Sequence, residues 1–277
     1  MLQHDPRKDY LDTLVAQFEQ PGFIGTDPIA IPHGFDDPRD QEVIGLYAAI
    51  LAWGRREIII KKMEELCERM RYRPFEFVRS FSDRDAARLE GFKHRTFQPV
   101  DALWFTKALH LALKSAGTVE NLFVKHLSED SENVGPAVQG FSETIMQTLP
   151  GIPNRLNKHL ARPSTGSACK RLVMYLRWMV RPGPVDLGIW SMIPKDRLVL
   201  PLDVHSGRTA RALGLLTRPA NDWRAALELT ENCKQLCPDD PCRYDFAFFA
   251  PGAYGVSLDT RFVGMTNVDL SSSPTDR

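Results

Sequence analysis

Apolar residues in this chain recur at helical spacing over residues 42–52, 100–116, 119–127 and 134–149, and Gly, Ser and Asp separate these runs. Alternating β-branched segments are scarce, so the expected fold class is all-α. The first long run breaks at Trp53-Gly54-Arg55-Arg56 and resumes through Met70, which predicts a helix, a bend and a second helix. Residues 20–40 are rich in Pro, Gly and Asp and read as a loop after a short first helix. Residues 171–181 are apolar nearly all round, the mark of a helix buried between other elements, and Pro182-Gly183-Pro184 ends it. After an irregular stretch, Asp203 is placed to cap a helix reaching Leu215. Helices over 221–236 and 241–250 follow, the last with Asp240 as cap and Pro241 in its first turn.

The chain of 277 residues is long enough for one large domain or two packed halves. No apolar run approaches the ~18 residues of a membrane span, and the polar start lacks a signal-peptide core. Five scattered cysteines argue for a reducing compartment, so a cytoplasmic location is expected. Basic and acidic residues balance at 35 each, which leaves only local asymmetry to point at a partner. That asymmetry is present: residues 144–185 hold seven Lys or Arg and no Asp or Glu, and the lone carboxylate Asp203 follows. A polyanion-binding surface with chemistry at its centre would be built this way. Cys233, Cys237 and Cys242 have no fourth thiolate nearby to complete an iron–sulfur cluster, and neither a metal nor a cofactor is expected.

Pro163-Ser164-Thr165-Gly166-Ser167-Ala168-Cys169-Lys170 resembles the hairpin and second-helix start of the helix-hairpin-helix DNA glycosylases. The segment Pro201-Leu202-Asp203-Val204-His205-Ser206-Gly207-Arg208, continuing to Leu215, resembles the Asp-bearing segment of that superfamily and is the stronger match. Ala48-Ala49-Ile50-Leu51-Ala52-Trp53-Gly54-Arg55-Arg56 is similar in position to its first core helix, and residues 238–252 resemble its closing helix. More closely, His94-Arg95-Thr96, Lys170-Arg171, residues 176–181 and Leu202-Asp203-Val204-His205-Ser206 resemble DUF2400, a bacterial family assigned to the same superfamily. The match covers roughly residues 40–255. The usual Gly-Val-Gly hairpin is reduced to Gly166, and an insertion at 182–200 stretches the interval from Lys170 to Asp203 to 33 residues. The archaeal 8-oxoguanine glycosylase branch resembles this chain in that stretched interval.

The resemblance implies a single unit over residues 1–265. Residues 54–200 would form a central helical subdomain holding the hairpin, 1–53 plus 201–265 a second one across a cleft, and 266–277 a disordered tail. It implies a base-excision enzyme in which a damaged base, an oxidised purine for example, is flipped from duplex DNA. Lys170 then attacks C1′ and forms a Schiff base that also permits strand cleavage, while Asp203 stabilises the developing positive charge. Ser164, Thr165, Gly166 and Ser167 would offer backbone amides to a phosphate, and Arg55, Arg56, Arg155, Lys158, Arg162 and Arg171 would hold the DNA. Trp53, Asp186, Trp190 and His205 are the expected base pocket. Two other readings stay open: a DNA-binding module that has lost the reaction, and an enzyme on a small nucleoside-like ligand. Net neutrality suits the latter.

Overall fold

A computed structural model describes residues 5–265, and every regular element among them is helical. In chain order the α-helices are α1 (Pro6–Phe18), α2 (Ala30–His33), α3 (Pro38–Leu51), α4 (Arg56–Arg69), α5 (Pro74–Arg79), α6 (Asp83–Leu89) and α7 (Pro99–Ala116). They continue with α8 (Val119–Val124), α9 (Gly135–Gln147), α10 (Lys170–Val180), α11 (Val204–Ala212), α12 (Trp223–Leu236) and α13 (Asp245–Tyr254). The all-α reading holds, and the long helices fall where the apolar period put them. The short α2, α5 and α6 were not legible, because four to seven residues are too few to display a 3.6-residue period. The tail expected at 266–277 lies outside the described residues.

Caps explain where the helices start. Asp5 and Asp37 accept the amides of Arg7 and Arg39, each with a proline at the first helical position. Asp203 and Asp222 do the same for α11 and α12. Asp240 does not cap the last helix: residues 241–244 form a 3-10 turn, α13 begins at Asp245, and the Asp240 carboxylate is bound by Arg181 instead.

Helix α3 is the hub. Every residue from Glu42 to Leu51 is buried, and the helix packs against α2, α4, α5, α8 and α10. Gly45 leaves room for α10, since a Cβ there would stand 2.8 Å from Met179 Cε. The buried apolar residues form a single cluster running from Leu11 to Phe248, which includes both groups of helices that the sequence assigns to separate subdomains. At its far side α11 lies on α13. Gly252 keeps that contact tight, with His205 only 3.1 Å from where a side chain would begin.

Two buried arginines, Arg177 on α10 and Arg181 at its C-terminal end, tie distant segments together. Arg177 is paired with Asp186, at 3.2 Å, and with Asp245. Arg181 binds Asp186 at 2.5 Å, Asp240 at 2.8 Å and Glu19 at 3.0 Å. The insertion folds back onto α10: the amides of Leu187 and Trp190 donate to the carbonyls of Trp178 and Met179, and Trp190 Nε1 donates to Glu42 Oε2 at 3.1 Å. Asp186 and Trp190, expected in a base pocket, are therefore interior parts of the scaffold. The first neutralises arginines, and the second packs edge-on against Tyr175.

Arg177→Met is expected to lower stability by about 3–5 kcal/mol, because it leaves Asp245 buried without its cation and Asp186 with Arg181 alone. Urea denaturation of the variant against wild type checks this. A change below about 1 kcal/mol would mean that the node contributes no more than a surface pair.

Candidate active site

The first turn of α10 begins in an unusual conformation. Gly166 and Cys169 both have left-handed backbone, at φ +78° and +51°, and no side chain caps the helix. Lys170 is its first residue, and its Nζ donates to Met174 Sδ at 3.1 Å. Asp203 Oδ2 lies 3.9 Å from the same nitrogen, and each side chain is about a quarter exposed. Its other oxygen, Oδ1, accepts the amides of His205 at 2.8 Å and Ser206 at 3.0 Å. One carboxylate thus serves two purposes, holding the start of α11 with one oxygen and facing the lysine with the other.

These groups open into a cleft of about 810 Å³. Its walls are the α3–α4 bend with Trp53, Arg55 and Arg56, the first turn of α10, the start of α11 through His205, Phe249 and Ala253 of α13, and Asp27 ahead of α2. Arg56 lies 4.9 Å over the Phe249 ring and 5.4 Å over that of Tyr254. Arg171 donates to the carbonyls of Ile50 and Lys158, the latter at 2.9 Å, and forms no ion pair among the described residues. Arg95 stacks 4.7 Å over Trp53, whose carbonyl is hydrogen-bonded to His94 Nε2 at 3.1 Å.

Of the residues expected from sequence, the cleft unites Lys170, Asp203, Trp53, Arg55, Arg56, Arg171 and His205. The expected phosphate turn needs correction. The amide of Ser164 donates to Gln139 Oε1, and those of Thr165 and Gly166 close the turn onto Arg162 and Pro163. Ser167 Oγ accepts the Cys169 amide at 3.1 Å. What remains for an anion is the uncapped end of α10 itself. Arg155 is also reassigned, since it grips the buried Asp101 through both carboxylate oxygens at 2.8 and 3.0 Å. Lys158 is exposed and its carbonyl joins it to Arg171, whereas Arg162 is half-buried outside the lining.

Besides Glu57, which lines the cleft from the first turn of α4, two carboxylates escaped the sequence reading. Asp27 lines the cleft, and burial raises its pKa against the pull of the Ile29 amide, Lys170, Arg56 and Arg177. Asp245 lies beneath the Lys170–Asp203 pair, and burial pushes it up to about 6 although Arg177 and Lys170 favour its charge. Asp27 stands in a Pro- and Gly-rich loop, and Asp245 looks locally like any first-turn acid, so no local signal marks either. Among the described residues no group of three or more His, Cys, Asp or Glu is placed to hold a metal ion, and no helix is long and apolar enough to cross a membrane.

The folded state binds the Asp245 proton more tightly than the unfolded chain does, whose value is near 3.8. The stability from this group is therefore full below about pH 4 and lost as pH rises through about 6. Asp245→Asn is expected to flatten that decline in urea midpoints measured across the interval. An unchanged slope would show that another group sets it.

Neither the curated proteins nor the solved structures contain a match to the chain. The family model described as protein of unknown function (DUF2400) matches residues 27–254, from the cleft carboxylate Asp27 to the Tyr254 ring beneath Arg56, and the chain belongs to that family.

Proposed function

We propose that the cleft is the active site of a DNA base-excision glycosylase with lyase activity, on a helix-hairpin-helix-like fold of two helical subdomains. The observation that carries this reading is the 3.9 Å approach of Lys170 Nζ to Asp203 Oδ2 at the uncapped start of α10. An amine nucleophile, a carboxylate beside it and a helix end suited to phosphate are the three parts the reaction needs in one place. The cleft volume falls within the ~300–1,000 Å³ typical of small-ligand pockets, enough for a flipped nucleoside.

In the reaction, the free amine of Lys170 bonds to C1′ as the glycosidic bond breaks, and the bonding pair leaves with the base nitrogen, which gains a proton. Asp203 Oδ2 stabilises the positive charge developing on the sugar and accepts the proton that the lysine nitrogen loses. Opening of the sugar gives a Schiff base, β-elimination breaks the C3′–O bond, and water then releases the lysine. Arg55, Arg56 and Arg171 neutralise phosphates around the cleft mouth, and Trp53 offers a ring face to the extruded base.

One observation favours a second reading, an enzyme on a small nucleoside-like ligand. The amides of Ser164 to Gly166 and the Arg155 guanidinium are satisfied internally, which leaves fewer groups for a long polyanion on a chain with no net charge. Salt dependence separates the two. Duplex binding loses affinity with a log–log slope of about −0.9 per phosphate contacted, whereas a nucleoside shows almost none.

Lys170→Gln is expected to abolish borohydride-trapped adducts and strand cleavage on a panel of lesion duplexes while lesion binding persists, because the amide keeps the length but cannot attack. Asp203→Asn is expected to slow the chemistry by roughly 10²–10⁴-fold with the fold intact, since asparagine caps about as well as aspartate. A wild-type protein that traps no lesion, or a Lys170→Gln protein that still does, removes Lys170 as the nucleophile.

A further inference from the structure

Beyond the lysine and its partner, the cleft is lined by two carboxyl groups with no part in that chemistry: Glu57, exposed on the first turn of α4, and the half-buried Asp27. Asp27 follows the 3-10 turn of residues 21–26, and its Oδ1 accepts the Ile29 amide at 3.2 Å. That bond fixes the side chain and leaves Oδ2 with no hydrogen-bond partner among the described residues. The group is half-buried and lines the same cleft as Lys170 and Asp203. A carboxyl group in this position has one oxygen anchored and one free to carry a proton toward whatever occupies the cleft.

We propose that Asp27 is the general acid that protonates the departing base, an inference that rests on the glycosylase reading above. Its Oδ2–H bond breaks as the glycosidic bond does, the proton goes to a nitrogen or carbonyl oxygen of the base, and the base leaves neutral. Asp27 becomes a carboxylate and recovers its proton from solvent. The division of labour follows from the other two groups: Lys170 must be a free amine to attack, and Asp203 must be ionised to stabilise the sugar. Neither therefore enters the reaction with a proton to give the base.

The groups facing Asp27 bear on when it holds a proton. Lys170 and Arg177 come from α10 and Arg56 from α4, and all three favour its ionised form; burial opposes them and prevails. Arg55, Glu57, Arg171, Asp203 and His205 complete the charged and titratable lining of the cleft. An acid held protonated above its ordinary range supports catalysis at low pH and loses it as pH rises.

The test separates base release from attack on the sugar. Wild type and Asp27→Asn are given a lesion duplex panel and, separately, a duplex with a preformed abasic site, on which no base departs. Asparagine keeps the Ile29 bond but holds no transferable proton. Base release in single turnover is expected to fall roughly 10²–10⁴-fold in the variant, and its decline with rising pH to disappear. Borohydride trapping on the abasic site is expected to match wild type. Equal base release by the two proteins overturns the assignment of Asp27 while leaving Lys170 in place, and so does a parallel loss of release and trapping, which would make Asp27 a positioning residue. Wild type that traps abasic sites but releases no base from the panel overturns it as well. Absence of wild-type trapping on the abasic duplex defeats the glycosylase reading itself.

Discussion

Two guanidinium groups buried in the interior must be neutralised where they stand, and much of the architecture follows from how this is done. Arg177 and Arg181 project from α10 and its C-terminal end into a region that water does not reach, where an unpaired charge would cost several kcal/mol. Their carboxylates come from four separate places: Glu19 after α1, Asp186 in the insertion, Asp240 before the last turn and Asp245 at the start of α13. Asp186 is shared by both arginines, and the remaining pairs hold the other three segments to the end of α10. Since α13 carries α11 on its surface, the pairing of Arg177 with Asp245 also sets where α11 begins relative to α10. The spacing between Lys170 and Asp203 is therefore fixed from below, by a salt bridge that touches neither residue.

The same node shapes the field inside the cleft. Lys170 lies among Asp203, Asp27 and Asp245, and Arg56 and Arg171 add positive charge along the walls. A lysine with one close carboxylate would be a plain ion pair. Here burial keeps Asp27 and Asp245 shifted toward their neutral forms, whereas Asp203 is partly exposed and accepts two backbone amides. The three carboxyl groups are thus set apart by their surroundings and are not interchangeable.

The long helices were legible because each buries a stripe of apolar side chains, and α10 because it buries almost all of its surface. Asp203 was legible twice, as a cap before a helical run and as part of a motif. The closeness of Lys170 to Asp203 was legible only through the resemblance, since nothing local brings residues 33 positions apart together. Arg155, Asp186 and Trp190 were misassigned for one shared reason. Each is a polar or amphipathic side chain in an irregular stretch, and its partner, Asp101, Arg181 or Glu42, lies far away along the chain or on another element. Composition shows that such a residue can bind something, and only the fold shows that its partner is internal. Asp27 was overlooked through the opposite error: a loop acid beside a proline looks like turn chemistry until its surroundings are known.

The 33-residue interval between Lys170 and Asp203 is itself accounted for by this arrangement. The residues of the insertion do not span the cleft or lengthen the path across it. They fold back along the end of α10, tied by backbone bonds to Trp178 and Met179, and supply Asp186 and Trp190 to the interior. On one side Glu120 accepts the amides of Ser191 and Met192, and on the other Pro182 and Leu187 pair at the helix end. The added chain is absorbed by the scaffold, and the chain emerges beside α10 with Asp203 facing the first turn. Interval length and site geometry are thereby uncoupled, because the distance between the two side chains is set by the packing of α11 on α13 and by the ionic node beneath them. A chain can lengthen this connection without moving the two side chains, provided that the added residues bring their own contacts to bury.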